Sequence, residues 1–166
     1  MKKIEKFENA VGIDVSKLDL EVYDYKNESR INVDNKENGF KQLIKSVNTH
    51  NKGSVILCFE HTGMYSLPLA IFLTERQMPF AMVPGLEIKR SLGIKRGKND
   101  KVDARDISRY AYLRRDEIKT YQLPSDALLK LKSLLNLRDR MVKQKAGYQA
   151  SIKEMKRFFA DKKTRY

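Results

Sequence analysis

The stretch SVILCF, residues 54–59, is an almost unbroken apolar run with Asn51-Lys52-Gly53 before it and His61-Thr62-Gly63 after it. Turn residues on both sides hold the run to a length that suits a strand and is too short for a buried helix. A strand that is apolar at every position must be covered on both faces, so it belongs inside a sheet with helices on each side. This one segment restricts the fold to the α/β classes.

The flanking segments agree. Phe40, Leu43, Ile44 and Val47 recur at i, i+3, i+4, i+7 and predict a helix starting near Asn38. After His61-Thr62-Gly63, Leu67, Ala70, Ile71 and Thr74 predict another, with Pro68 tolerated in its first turn. PFAMV, residues 79–83, reads as a second short buried strand. Upstream, NAVGIDV is a strand that carries Asp14 near its end. LDLEVYD alternates, with Leu18, Leu20 and Val22 on one face and Asp19, Glu21 and Tyr23 on the other, and SRINV is a third strand. The order of three strands, helix, strand, helix, strand predicts a mixed sheet flanked by helices. A Gly- and Lys-rich stretch, GIKRGKND, then leads into a helix expected over about Asp100–Leu113.

The last forty residues differ in character. From Asp126 to Tyr166 there are twelve Lys or Arg against four acids. Ala127, Leu131, Leu134, Arg138, Met141, Lys145, Tyr148, Ile152, Met155 and Phe159 alternate spacings of 4 and 3, and eight of these ten are apolar. That is the seam of a coiled coil, formed with a second copy or a partner; a long amphipathic helix lying back on the domain gives the same pattern. The expected division is a metal-binding domain over residues 1–120 and a basic helical or coiled-coil extension over 121–166.

A net charge of +13 directs the chain toward a polyanion. No apolar run reaches the roughly 20 residues that span a bilayer, and the N-terminus lacks the features of a signal peptide. The single cysteine, Cys58, can form neither an internal disulfide nor a multi-cysteine zinc site, and reads as a small buried strand residue. A cytoplasmic, nucleic-acid-binding protein with no membrane association is the expectation.

Between Lys89 and Arg115 ten Lys or Arg surround just three acids, Asp100, Asp103 and Asp106. Asp14 and Glu60 each end a strand, where residues face the ligand crevice of an open sheet. Asp100 and Asp103, three residues apart at an expected helix start, would share one face. Four converging carboxylates repel one another unless a cation or raised pKa values relieve them, and such oxygen-only donors suit Mg2+ or Mn2+. Each acid also has a plainer role: Asp14 as a turn cap toward Ser16, Glu60 as a solvated strand end, Asp100 as a helix cap, Asp103 as partner to Lys95 or Lys98. Lys17, Lys95, Arg96, Lys98, Lys101 and Arg105 are the candidate nucleic-acid contacts; as charges they hold backbone phosphate rather than read bases. His61, Tyr65 and Ser16 are weaker candidates. His50 needs only a helix-end contact, and neither a Walker loop nor zinc-finger spacing is found.

In order along the chain, VGIDVSK, EHTGMY and VPGLEIKRSLGIKRGKNDKVDARDISRYA resemble the DEDD insertion-sequence transposases of the IS-one-ten family, which includes the Piv DNA invertases. The resemblance covers about residues 9–115, and the family's next helical region matches 126–161. It implies an RNase H-like, RuvC-type fold and a divalent metal held by Asp14, Glu60, Asp100 and Asp103. It further implies DNA recombination and transposition of a mobile element, with a structured guide RNA in several members. Asn99 stands where the family usually has Thr before the Asp-x-x-Asp pair. The family's serine nucleophile lies in a further C-terminal domain, so complete recombination is expected to need more than these residues. Two other functions remain open: a free-standing Holliday-junction-type nuclease, and a non-catalytic nucleic-acid-binding dimerisation module. An actin-like sugar kinase is disfavoured because a second glycine-rich phosphate segment is missing.

Overall fold

The computed structural model describes residues 7–61, 63–92 and 103–163. Five strands, β1 (Asn9–Val15), β2 (Asp19–Asp24), β3 (Ser29–Asp34), β4 (Val55–Glu60) and β5 (Phe80–Val83), make one sheet in the order β3-β2-β1-β4-β5. β1 pairs antiparallel with β2, and β2 with β3; β1 pairs parallel with β4, and β4 with β5. An antiparallel three-strand meander joined to parallel strands through helical crossovers is the RNase H-like arrangement that the resemblance implied. The helices are α1 (Glu37–His50), α2 (Leu67–Glu75), α3 (Gly85–Leu92), α4 (Ala104–Leu113) and α5 (Asp126–Lys163).

The sheet is buried on both faces because its central strands carry apolar residues at odd and even positions. On one face Val11, Ile13, Val15, Leu20, Val22, Leu57 and Phe59 pack with Phe40, Leu43 and Val47 of α1 and Leu69, Phe72 and Leu73 of α2. On the other, Ala10, Ile56, Cys58, Ala81 and Val83 pack with Ile88 of α3 and Ile107, Tyr110 and Ala111 of α4. The helices are joined on that second face where the Tyr110 hydroxyl donates to Glu87 Oε1 at 2.5 Å. Burial raises the Tyr110 pKa, and this bond to a carboxylate raises it further.

Two devices close the rim of the sheet. The edge of β5 is covered by the chain after α4, where the Tyr121 amide donates to Phe80 O at 2.7 Å and the two rings lie 5.8 Å apart. At the amino end of β1, buried Asp24 accepts from the side-chain amides of Asn9 (2.6 Å), Asn27 (2.9 Å) and Asn51 (2.7 Å). Burial alone would raise the Asp24 carboxyl, but these bonds outweigh it and hold its pKa below the usual value.

Three local expectations are corrected and one helix is added. Leu18 is not on the core face of β2: it precedes the strand, in the hairpin turn, and is 71% exposed. In α2, Ile71 turns outward while Leu69, Ala70, Phe72 and Leu73 are buried; a helix apolar on nearly every side carries no phase from which to read its buried face. α3 was not foreseen, although Glu87 in its first turn and Lys89 and Arg90 in its last suit the helix dipole. α4 begins at Ala104 rather than near Asp100, and Asp103 is its N-cap, with extended backbone.

The chain divides into two compact units, Met1–Leu123 and Pro124–Tyr166. The second is dominated by α5, whose described side chains are exposed except for half-buried Leu129.

Candidate metal centre

Three acids lie side by side on the α3/α4 face of the sheet. In the hairpin register Asp14 stands opposite Glu21. In the parallel register Ile13 stands opposite Phe59, so Asp14 and Glu60, one residue further on, are neighbours across roughly 4.8 Å of strand spacing. Side chains alternate along a strand, so Asp14 and Glu60 share the face of Gly12 and Cys58, which is the face α4 covers. Asp14 and Glu60 are both half-buried. Glu21 is balanced by an ion pair with Arg30 on β3.

Two glycines allow the helices to come this close. A Cβ on Gly12 would overlap the Ala104 carbonyl and the Ser108 backbone, so the first turns of α4 rest directly on β1, two residues before Asp14. A Cβ on Gly85 would overlap the Glu60 carboxylate, so the start of α3 lies against that side chain. A glycine inside a strand is the sequence signal of such an approach, and Gly12 carries it.

Asp103 enters through α4. It immediately precedes Ala104, whose carbonyl lies over Gly12, and its Oδ1 accepts from the Asp106 amide at 2.8 Å. This cap fixes the carboxylate at the helix start and leaves its second oxygen outside that bond. Asp100 lies outside the described residues, as do Lys95, Arg96, Lys98, Lys101 and Thr62. Lys17 is exposed in the β1–β2 turn, and Arg105 is exposed on α4, 5.9 Å from the Tyr23 ring.

One of the plainer roles goes to another residue, and the two histidines keep theirs. Ser16 is engaged by Asp19 rather than Asp14, and its Oγ also accepts from the Leu18 and Asp19 amides. His50 bonds the Ser46 carbonyl at 2.8 Å and so does serve a helix end. His61 Nδ1 accepts from the Gly63 amide at 3.3 Å, a turn contact.

Carboxylate oxygens are the donors that hard divalent cations prefer, and neighbouring carboxylates on adjacent strands gain from one. Asp14, Glu60 and Asp103 have the donor type that suits such an ion, and Asp14 and Glu60 share one sheet face. Among the described residues no three Asp, Glu, His or Cys side chains close on a single point as a metal cluster.

A search of curated proteins finds no match. The DEDD transposase family of IS110 elements, described as Transposase, matches residues 11–156, which run from β1 through most of α5. Members of that family act on DNA and normally use a divalent metal. With the topology, the acids on one sheet face and a match over most of its length, the chain belongs to the IS110-family DEDD transposases.

Proposed function

We propose that the first unit is the metal-dependent catalytic domain of the transposase, with Asp14, Glu60, Asp100 and Asp103 holding Mg2+ or Mn2+ against a DNA phosphate. The observation that carries this reading is the placement of Asp14 and Glu60 side by side on the face that α4 crosses at Gly12. A bound divalent ion supplies positive charge to the phosphoryl oxygens during strand cleavage and joining. The chain's own residues do the positioning. β1 and β4 fix two carboxylates on a rigid sheet, and the N-cap bond fixes the third at the start of α4. Lys17 and Arg105, with Lys95, Arg96, Lys98 and Lys101, supply the charges that hold the DNA backbone. The serine nucleophile comes from the C-terminal domain of the family.

α5 extends the reading to partners. Leu131, Leu134, Met141, Tyr148, Ile152, Met155 and Phe159 are all exposed along its seam. We assign this seam to pairing with a second copy, and the basic flanks to a structured guide RNA. That surface also supports a second reading, a nucleic-acid-binding dimerisation module without chemistry.

Titration calorimetry with Mn2+, with and without DNA, separates the two. Asp14→Asn and Asp103→Asn should each weaken Mn2+ binding at least about tenfold. Asp103→Asn should leave the melting temperature almost unchanged, because Asn caps a helix as well as Asp does. Wild-type protein that takes up no Mn2+ even with DNA present, yet binds nucleic acid tightly and salt-dependently, would overturn the catalytic reading in favour of the module.

A further inference from the structure

The exposed seam of α5 resolves into two columns, the a and d positions of a heptad. Leu131, Arg138, Lys145, Ile152 and Phe159 make the a column. Ala127, Leu134, Met141, Tyr148 and Met155 make the d column. All ten side chains are exposed. Residues three and four apart are neighbours on a helix, so the ten form one continuous stripe, about 48 Å long at 1.5 Å per residue. The two columns differ in charge. Arg138 and Lys145, one heptad apart, both stand in the a column, and the d column is uncharged from end to end.

That asymmetry decides how two copies of the helix can meet. In a parallel pair like packs on like, so Arg138 would face Arg138 and Lys145 would face Lys145 of the second copy. Two like-charge contacts inside a desolvated seam oppose association. In an antiparallel pair each a side chain meets a d side chain, so both cations meet uncharged partners. The register that uses all ten positions centres at Lys143. It sets Arg138 against Tyr148, Lys145 against Met141, and Ala127 against Phe159. A guanidinium lies well on an aromatic ring, a lysine stem lies along an apolar neighbour with its charge in water, and the smallest seam residue meets a bulky one. Sliding one copy by a heptad leaves seam positions of both helices without a partner.

We propose that α5 pairs antiparallel with α5 of a second copy, with Arg138 of each chain stacked on Tyr148 of the other. The proposal rests on the assignment of the seam to a second copy, made above, and adds its direction and register. The interface is isologous, so every contact occurs twice about a two-fold axis near Lys143. The two chains enter the pair from opposite ends, with their Asp126 residues roughly 51 Å apart along it. A parallel pair would bring both chains in at one end.

The test combines sedimentation equilibrium with disulfide trapping on the full chain. Wild type should sediment as a dimer. Leu134 and Ile152 face each other across the proposed pair, while each lies roughly 27 Å from its own counterpart, far beyond disulfide reach. Leu134→Cys alone and Ile152→Cys alone should therefore stay unlinked under mild oxidation, and the protein carrying both substitutions should link almost completely into dimers. Cys58 is buried and stays out of the reaction. The substituted side chains are exposed on α5, so the first unit should fold normally, and sedimentation of each reduced variant checks that it still dimerises. Linkage of either single variant means a parallel pair, and overturns the direction while leaving the pairing intact. A dimer that links in no variant does not form through this seam in this register. A monomeric wild type removes the pairing itself and the direction with it.

Discussion

Replacing Gly12 by alanine tests the contact on which the geometry of the candidate metal centre depends. The added methyl would lie within 3.0 Å of the Ala104 carbonyl oxygen, the Ser108 amide nitrogen and the Ser108 Cα. All three are backbone atoms, so no side-chain rotation relieves the overlap. α4 would have to lift by about 1 Å to restore ordinary contact distances. Overpacking of this kind costs about 1–3 kcal/mol. Loss of glycine's freedom in the unfolded chain returns ~0.4–1 kcal/mol, leaving a net loss centred on about 1.3 kcal/mol and at most about 2.6. Urea titration should show this as a lower midpoint with an unchanged slope, and thermal melting as a fall of about 3–8 °C. Because Asp103 caps the same helix, Mn2+ affinity should fall as well. Gly147→Ala on α5 is the control: nothing lies within 4 Å of its added methyl, and it should carry no such penalty. If Gly12→Ala melts at or above wild type and binds Mn2+ equally, α4 does not rest on β1 and the account of the centre fails.

Two more predictions concern buried groups. The lowered pKa of Asp24 gives stability that is present above the unfolded carboxylate pKa of about 3.9 and is lost as pH falls through the lower folded value. Wild type should therefore destabilise on acidification below about pH 4; Asp24→Asn should be less stable at neutral pH and show a shallower acid slope in urea titrations. Burial, reinforced by the charge of Glu87, pushes the Cys58 thiol up to about 12. Native protein at pH 8 should resist Ellman's reagent and react once unfolded; rapid native labelling would contradict the burial of β4.

How much of the centre was legible in the sequence differs residue by residue. Asp14 and Glu60 were legible because a strand's end is marked by where its apolar run stops, and that alone assigns each acid to the carboxyl end of its strand. Glu21 was placed on the face away from Leu20 and Val22, but its position beside Asp14 depends on hairpin register, which turn geometry and pairing select. Asp103 was read as a residue inside a helix and is the cap before it, because its short carboxylate competes for the first amides of the helix. Leu18 shows the same limit. Its place in the alternation suggested a core residue, yet the turn that Ser16 and Asp19 close sets it outside the strand.

By itself the sequence determined the class of fold, the order of its strands and of every helix except α3, the basic helical tail and the family, because these follow from local periodicity, turn residues and motif order. Tertiary structure decided which acids become neighbours, how close α4 comes to β1, and which apolar side chains stay outside. Those outcomes depend on strand register and on approach across Gly12 and Gly85, and both are set by contacts between residues far apart in the chain.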